Sequence, residues 1–207
     1  MKDYKELSKI EFNREAQKFD NAKGIDIYKV CQNSYSYIID EVKKEEFQSL
    51  VDVGCGTGNS IELLSKEFPE RKYVGIDLAE NMIAVANKKA IKGAEFLVGD
   101  AENLPFEEGQ FDTLICKESF HHYPNVENFF KSAYKVLKTG GRLIILDMTI
   151  LALGRWIDNH ILFPIMRKGD AHVYGLHEVE LLYISAGFQV ERSEKLGNMR
   201  FIICGRK

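Results

Sequence analysis

Short apolar runs alternate with helical repeats along this chain. SLVDVGC, KYVGIDL, AEFLVGD, FDTLICKE and GRLIILDM, within residues 49–148, are rich in Val, Ile and Leu and bounded by Gly, Asp or Pro. Unbroken apolar runs of that length predict strands buried on both faces, as in a parallel sheet. Between them, Ile61, Leu64 and Phe68 mark one helical face, and Met82, Val85 and Ala86 a second. Val126, Phe129, Phe130, Ala133 and Leu137 mark a third, which the Thr139-Gly140-Gly141 turn is expected to stop. Strand alternating with helix predicts a doubly wound α/β sheet. At the C-terminus, FQVERSEKLG and NMRFIICGRK are separated only by Gly197-Asn198, a turn suited to a hairpin. The expected sheet therefore has seven strands, mostly parallel, and finishes with an antiparallel hairpin strand.

Two stretches fall outside this repeat. Helical patterns at residues 5–19 and 26–47, the second with Ile27, Cys31, Tyr35, Ile38 and Val42 on one face, predict an N-terminal helical cap over residues 1–47. Residues 149–176 form a helical insertion after the fifth strand, placed to act as a lid. The expected organisation is a single domain: cap 1–47, core 48–148, lid 149–176, and a final helix and hairpin over 177–207.

Composition narrows the function. With 207 residues, one domain with a full core is expected. Lys+Arg of 28 against Asp+Glu of 31 gives a net charge of −3, which disfavours a nucleic-acid partner. Cys31, Cys55, Cys116 and Cys204 are scattered, with no CxxC pair and no His placed to complete a zinc site, so no metal is expected. The N-terminus lacks a signal peptide's apolar core, and the Leu143–Met166 stretch is interrupted by Asp147, Arg155 and Asp158. A cytoplasmic protein without a membrane span is the expectation.

The candidate chemistry lies at the strand tips. The first strand runs into Asp52-Val53-Gly54-Cys55-Gly56-Thr57-Gly58, followed at once by a helix. Glycines there let backbone N–H groups approach a ligand closely. Asp77, 23 residues beyond Gly54 at the tip of the second strand, can accept both hydroxyls of a ribose, or cap the next helix. Asp100-Ala101 ends the third strand, where a side chain can accept from an exocyclic amine.

In this order and spacing, DVGCGTG, GIDLAENM, GDAENLPF, FDTLICKESFHHYPN and GGRLIILD resemble the class I S-adenosylmethionine-dependent methyltransferases, nearest the ubiquinone and menaquinone C-methyltransferase branch. The resemblance runs from about Leu50 to Asp147 and implies a Rossmann-like sheet. It implies that Gly54, Cys55, Gly56 and Gly58 pass beneath the methionine part of the cofactor, with Asp52 ordering the loop and the cofactor's amino end. It further implies Asp77 at the ribose, Leu78 and Met82 against the adenine, and Asp100 with the Ala101 N–H at the base edge. Lys117 falls where the family uses a backbone carbonyl near the cofactor ammonium, and Phe19 matches an aromatic that closes over the cofactor.

Methyl transfer from a sulfonium needs alignment, desolvation and at most one base. His121 and His122, just past the fourth strand, are the candidate catalytic groups. For the acceptor pocket the candidates are Tyr28, His122, Trp156, Phe163, Arg167 and Tyr174, enclosing a small, largely apolar molecule between residues 5–30 and 150–176. Ile157, Ile161 and Ile165 repeat at helical spacing, as a lid's inner face or as a core stripe. The competing functions are a catalytically silent S-adenosylmethionine-binding module and a nicotinamide-dependent oxidoreductase. The missing third glycine of G-x-G-x-x-G argues against the latter.

Overall fold

The computed structural model describes residues 2–20, 34–166, 168–197 and 199–207. Within them the strands are β1 (Ser49–Val53), β2 (Lys72–Asp77), β3 (Ala94–Val98), β4 (Phe111–Lys117), β5 (Leu137–Met148), β6 (Gln189–Leu196) and β7 (Arg200–Arg206). The helices are α1 (Tyr4–Phe19), α2 (Tyr35–Val42), α3 (Asn59–Glu67), α4 (Glu80–Lys88), α5 (Val126–Val136), α6 (Ala152–Ile157) and α7 (Leu176–Ser185). The strands form one sheet in the order β3-β2-β1-β4-β5-β7-β6. β7 is antiparallel to both neighbours, and the pairings among β1 to β5 are parallel. From β1 the chain moves outward one way through β2 and β3, and the other way through β4 and β5. That reversal opens a crevice above the carboxyl ends of β1 and β4, where ligands of open α/β sheets bind.

Apolar side chains cover both faces of the sheet. On one face Phe129, Phe130 and Ala133 of α5 and Val179 and Tyr183 of α7 pack on Val51, Leu114 and Ile145. On the other, Ile38 and Val42 of α2, Ile61 and Leu64 of α3 and Ile83 of α4 cover Leu50, Ile115 and Ile144. The described cysteines, Cys55, Cys116 and Cys204, are buried free thiols.

Three boundaries depart from the sequence pattern. The second N-terminal helix ends at Val42 rather than residue 47, and its expected first part lies outside the described residues. α5 stops at Val136, ahead of the glycines, because residues from Leu137 on already pair with β4 through a bulge. The insertion is a rod: α6 continues as a π-helical turn (Asp158–Leu162) and a last turn (Phe163–Ile165). Its Ile157, Ile161 and Ile165 face solvent rather than a core, because only Phe163 of this rod is buried against the body.

α2 is joined to the sheet by an ion cluster as well as by its apolar face. The buried Arg142 guanidinium donates to the Glu41 carbonyl (3.1 Å), the Glu41 carboxylate (3.3 Å) and Cys204 Sγ (3.4 Å). Lys44 (2.8 Å) and Arg192 also donate to that carboxylate. Removing one member of a buried ion pair strands the other charge. Glu41→Ala leaves the buried Arg142 only the half-exposed Glu45 carboxylate (3.5 Å) and is therefore expected to lower unfolding stability by about 3 kcal/mol in urea titrations, with most of it recovered in Glu41→Leu/Arg142→Met. An unchanged midpoint in the single variant would contradict this.

Candidate functional site

The crevice holds a cavity of about 230 Å³ above β1 and β4 and an adjoining pocket of about 60 Å³ toward β3. Phe12, Gly54, Asp77, Ser119 and His122 border both.

The glycine loop fits this place because side chains at Gly54 and Gly58 would not. Gly54 has φ +73°, and a Cβ there would collide with Ser119 past β4. The Gly54 and Cys55 amides donate to the Ile76 carbonyl (2.8 and 3.1 Å), and the Gly56 amide to Asp77 Oδ2 (2.8 Å). The other Asp77 oxygen accepts from the Ala79 amide (2.9 Å), so one carboxylate joins the loop to the β2–α4 turn. The Leu78 amide also acts on this carboxylate, and of about four acceptor sites it keeps at least one for a ligand. Asp77 therefore serves the loop and the turn, and not the helix end itself, since α4 has no side-chain cap. Gly58 belongs to the packing rather than to the cavity wall: its Cα (φ +77°) lies against the Phe96 ring with no room for a Cβ.

Asp52 departs most from expectation. It is buried beneath the large cavity, and neither carboxylate oxygen has a hydrogen-bond partner at standard geometry among the described residues. The loop amides go to Asp77 and the Ile76 carbonyl rather than to Asp52, which meets the segment after the loop through the Ser60 hydroxyl. Burial raises its pKa to about 7, with the Lys117 charge and the Ser60 hydroxyl acting against the rise. Lys117 is itself buried, its ammonium 3.8 Å from the centroid of the Tyr35 ring.

At the β3 end, Leu78, Asp100 and Ala101 line the small pocket. Asp100 Oδ2 accepts from Lys5 of α1 (2.7 Å) and Oδ1 from the Glu102 amide (2.9 Å). Cys55, Gly56, Met82 and Phe19 line the large cavity, with Phe19 packed near Met82 and Ala79.

At the opposite end lie His121 and His122, both lining the large cavity. His121 Nδ1 is 2.6 Å from Asp147 Oδ1, and its amide donates to Asp147 Oδ2 (3.2 Å). Burial alone would depress this imidazole, but the charge and hydrogen bond of Asp147, with Asp170 and Glu118, raise its pKa to about 9. Burial and the neighbouring His121 push His122 down to about 4.

The expected pocket residues divide. Tyr28 and Arg167 lie outside the described residues. Trp156 is 54% exposed and stacks on His160, Phe163 is buried under the rod, and Tyr174 packs on Phe120 and His172; none of the three lines either cavity. The rod turns its apolar side outward, so the insertion reaches the cavity through Lys168 and Asp170 in the extended segment behind it. Tyr35, Met148, Met199 and Arg200 also line the cavity and were not expected. For Met148, Met199 and Arg200 the hairpin was the signal: antiparallel pairing sets Arg200 opposite Met148, at the carboxyl end of β5.

Asp52 yields a stability prediction. Its folded pKa lies above its unfolded value, so its neutral form favours folding, and that contribution is lost as pH rises from about 4 through about 7. Asp52→Asn is expected to stabilise the ligand-free protein at pH 8 by about 1–3 kcal/mol and to flatten this part of the pH profile. A destabilised variant in chemical denaturation would contradict an unpaired carboxylate.

The comparisons with known proteins agree with this geometry. Residues 51–145 match the family described as "Methyltransferase domain". Among curated relatives, demethylmenaquinone methyltransferase of Thermotoga maritima is 29% identical over 137 residues, covering 66% of this chain and 59% of that protein. Malonyl-[acyl-carrier protein] O-methyltransferase of Priestia megaterium is 32% identical over 145 residues, covering 68% of this chain and 50% of that protein. The chain thus spans about half the length of these relatives. Among solved structures, an S-adenosylmethionine-dependent methyltransferase from Aquifex aeolicus superposes with a TM-score of 0.72 at 24% identity, covering 93% of this chain and 97% of that one, which shows the fold. Strand order, glycine loop, acidic strand tips and the match of residues 51–145 to the methyltransferase-domain family make this part of the chain similar to the class I S-adenosylmethionine-dependent methyltransferases.

Proposed function

We propose that this chain binds S-adenosylmethionine along the crevice and directs its methyl group to a small, largely apolar acceptor. The observation that carries this reading is the buried Asp52 carboxylate, without a hydrogen-bond partner, lining a cavity beside the glycine loop. A buried carboxylate that the Lys117 charge and the Ser60 hydroxyl compensate only in part calls for a cationic ligand, and the amino end of S-adenosylmethionine has that chemistry. Asp77 offers its remaining acceptor capacity to the ribose, and Asp100 and the Ala101 amide stand at the pocket for the base. When bound, S-adenosylmethionine supplies an activated methyl on a sulfonium for in-line displacement. The protein aligns the acceptor and excludes water from it.

The acceptor end combines Phe12, Tyr35, Met148 and Met199 with His121 and His122, so an apolar body with one polar atom fits it. The relative named for demethylmenaquinone methylation supports a lipophilic acceptor. A net charge of −3 favours a small molecule over a nucleic acid, and a cytoplasmic location belongs to the same reading. No helix among the described residues is long and apolar enough to cross a membrane. A nicotinamide cofactor finds less support, because the sixth position of its glycine motif is Asn59.

S-adenosylhomocysteine at a hundredfold excess over its Kd is expected to stabilise the protein by about 2.7 kcal/mol, and NADH not at all. A larger shift with NADH would overturn the assignment. Methyl-labelled S-adenosylmethionine incubated with the chain and a lipid extract is expected to label a small lipophilic product. Binding without transfer to any component would favour the silent module.

Asp77→Ala is expected to weaken S-adenosylhomocysteine binding by about 1.5–3 kcal/mol and also to lower stability by about 1 kcal/mol, since both roles meet in one carboxylate. Calorimetry that finds stability alone reduced would remove Asp77 from the ligand.

A further inference from the structure

The acceptor end of the cavity contains a donor set that methyl transfer does not require. His121 Nε2 lies 3.8 Å from Asp170 Oδ1, and His122 Nδ1 lies 3.7 Å from the same oxygen. The three donor atoms all fall within 4.8 Å of one another, and all three side chains line the 230 Å³ cavity. His122 Nδ1 is buried and makes no hydrogen bond at standard distance; the Gly169 backbone carbonyl and the Asp170 and Asp147 carboxylates favour protonation of the ring, and His121 opposes it. The segment carrying Asp170 is fixed to the histidine turn, because the Ala171 and His172 amides both donate to the His121 carbonyl (2.9 and 3.0 Å).

The far side of His121 is equally defined. Asp147 takes its Nδ1 and its amide, which orients the ring and leaves Nε2 directed to the Asp170 side. A carboxylate behind an imidazole is the usual support of a metal-bound histidine, where it sets the tautomer and strengthens the donor. Two imidazole nitrogens and a carboxylate oxygen at metal bonds of about 2.0–2.2 Å stand about 3–3.5 Å apart. The two histidine–Asp170 separations, 3.8 and 3.7 Å, need to contract by well under 1 Å, and the two imidazole nitrogens, within 4.8 Å of each other, by a side-chain rotation.

We propose that His121 Nε2, His122 Nδ1 and the Asp170 carboxylate form a binding site for a divalent transition-metal ion. Two nitrogens with one oxygen suit Zn²⁺, Mn²⁺, Fe²⁺ or Co²⁺. Mg²⁺ and Ca²⁺ take oxygen ligands and fit this set poorly. Positions not filled by the protein face the cavity and accept a water or an oxygen of the molecule held there. The site stands on the side-chain geometry and does not depend on the methyl-transfer reading. Where that reading holds, the ion adds a Lewis acid beside the acceptor and favours an acceptor with a hydroxyl or carbonyl oxygen.

Cobalt is the probe, because its visible absorption reports coordination without an activity assay. The untagged full-length chain is stripped with chelator, dialysed and titrated with Co²⁺. One equivalent is expected to bind with visible bands of a nitrogen- and oxygen-ligated ion, and Zn²⁺ is expected to displace it. His122→Gln and Asp170→Asn are each expected to weaken Co²⁺ binding at least tenfold, and Asp147→Asn by about tenfold or more through loss of ring orientation. His160→Gln, which alters an exposed histidine on Trp156, is expected to leave the titration unchanged. Far-UV circular dichroism and S-adenosylhomocysteine-induced stabilisation of the metal-free variants show whether they remain folded. Absence of bands, or bands of equal strength in folded His122→Gln and Asp170→Asn, would overturn the site and leave His121 as a charged bridge between two aspartates. A chain that binds S-adenosylhomocysteine but no cobalt contradicts this inference alone. One that binds cobalt but not S-adenosylhomocysteine contradicts only the methyltransferase reading.

Discussion

A buried carboxylate without a hydrogen bond sets the terms for the rest of the site. Asp52 sits on β1, where β2 and β4 supply backbone pairing; its carboxylate makes no hydrogen bond at standard geometry, and only the Lys117 charge and the Ser60 hydroxyl act against its desolvation. Burying such a charge costs several kcal/mol unless it is paired or protonated, and the pKa near 7 is the form that cost takes here. The fold tolerates it because the surrounding sheet is covered on both faces by large apolar clusters. The carboxylate lines the large cavity beside the glycine loop and Lys117. On the proposed function, the ligand's cation relieves the cost, so part of the binding energy is stored in the free protein.

α1 borders the crevice through Glu11, Phe12 and Phe19. Its apolar residues Phe12, Ala16 and Phe19 rest on Ala79, Met82 and Val85, and Phe12 meets the His122 ring edge-on at 5.1 Å. Polar ties run along its length: Lys5 to Asp100 and Glu102, Lys9 to Glu80, Asn13 to Asn81, and Asp20 to Thr57, Asn59 and Lys89. Partly exposed ion pairs of this sort contribute about 0–1 kcal/mol each. A strap held by many weak ties and a small apolar contact can lift without disturbing the core. The Lys5 tie uses the Asp100 carboxylate that the proposed base pocket also uses, so ligand entry and strap position are linked through one side chain.

The parts legible in the sequence were those fixed by local pattern. Buried strands announced themselves as unbroken apolar runs, and the Gly197-Asn198 turn announced the hairpin that makes β7 antiparallel. The positions of Asp52, Asp77 and Asp100 followed from strand ends, because a strand tip in this topology has only one crevice to face. Long-range contacts were not legible. Asp170 reaches His121 and His122 across an insertion whose helical spacing read as a pocket wall, whereas the rod points its Trp156 and Ile165 to solvent. The roles of Asp52 and Gly58 were likewise decided by neighbours, Ser60 and Lys117 for one and Phe96 for the other, that no spacing rule connects.

The central claim is that Asp52 receives the cationic end of the ligand. Calorimetric titration of S-adenosylhomocysteine at pH 6 and pH 7.5 tests it most directly, because only the ionised carboxylate pairs with an ammonium. With a free-protein pKa of about 7, the Kd is predicted to fall about eightfold over that interval, with proton release on binding at the lower pH. Asp52→Asn is predicted to bind more weakly and without that pH dependence. Binding by the unaltered protein that is equally tight at both pH values, with no proton released, would contradict the account.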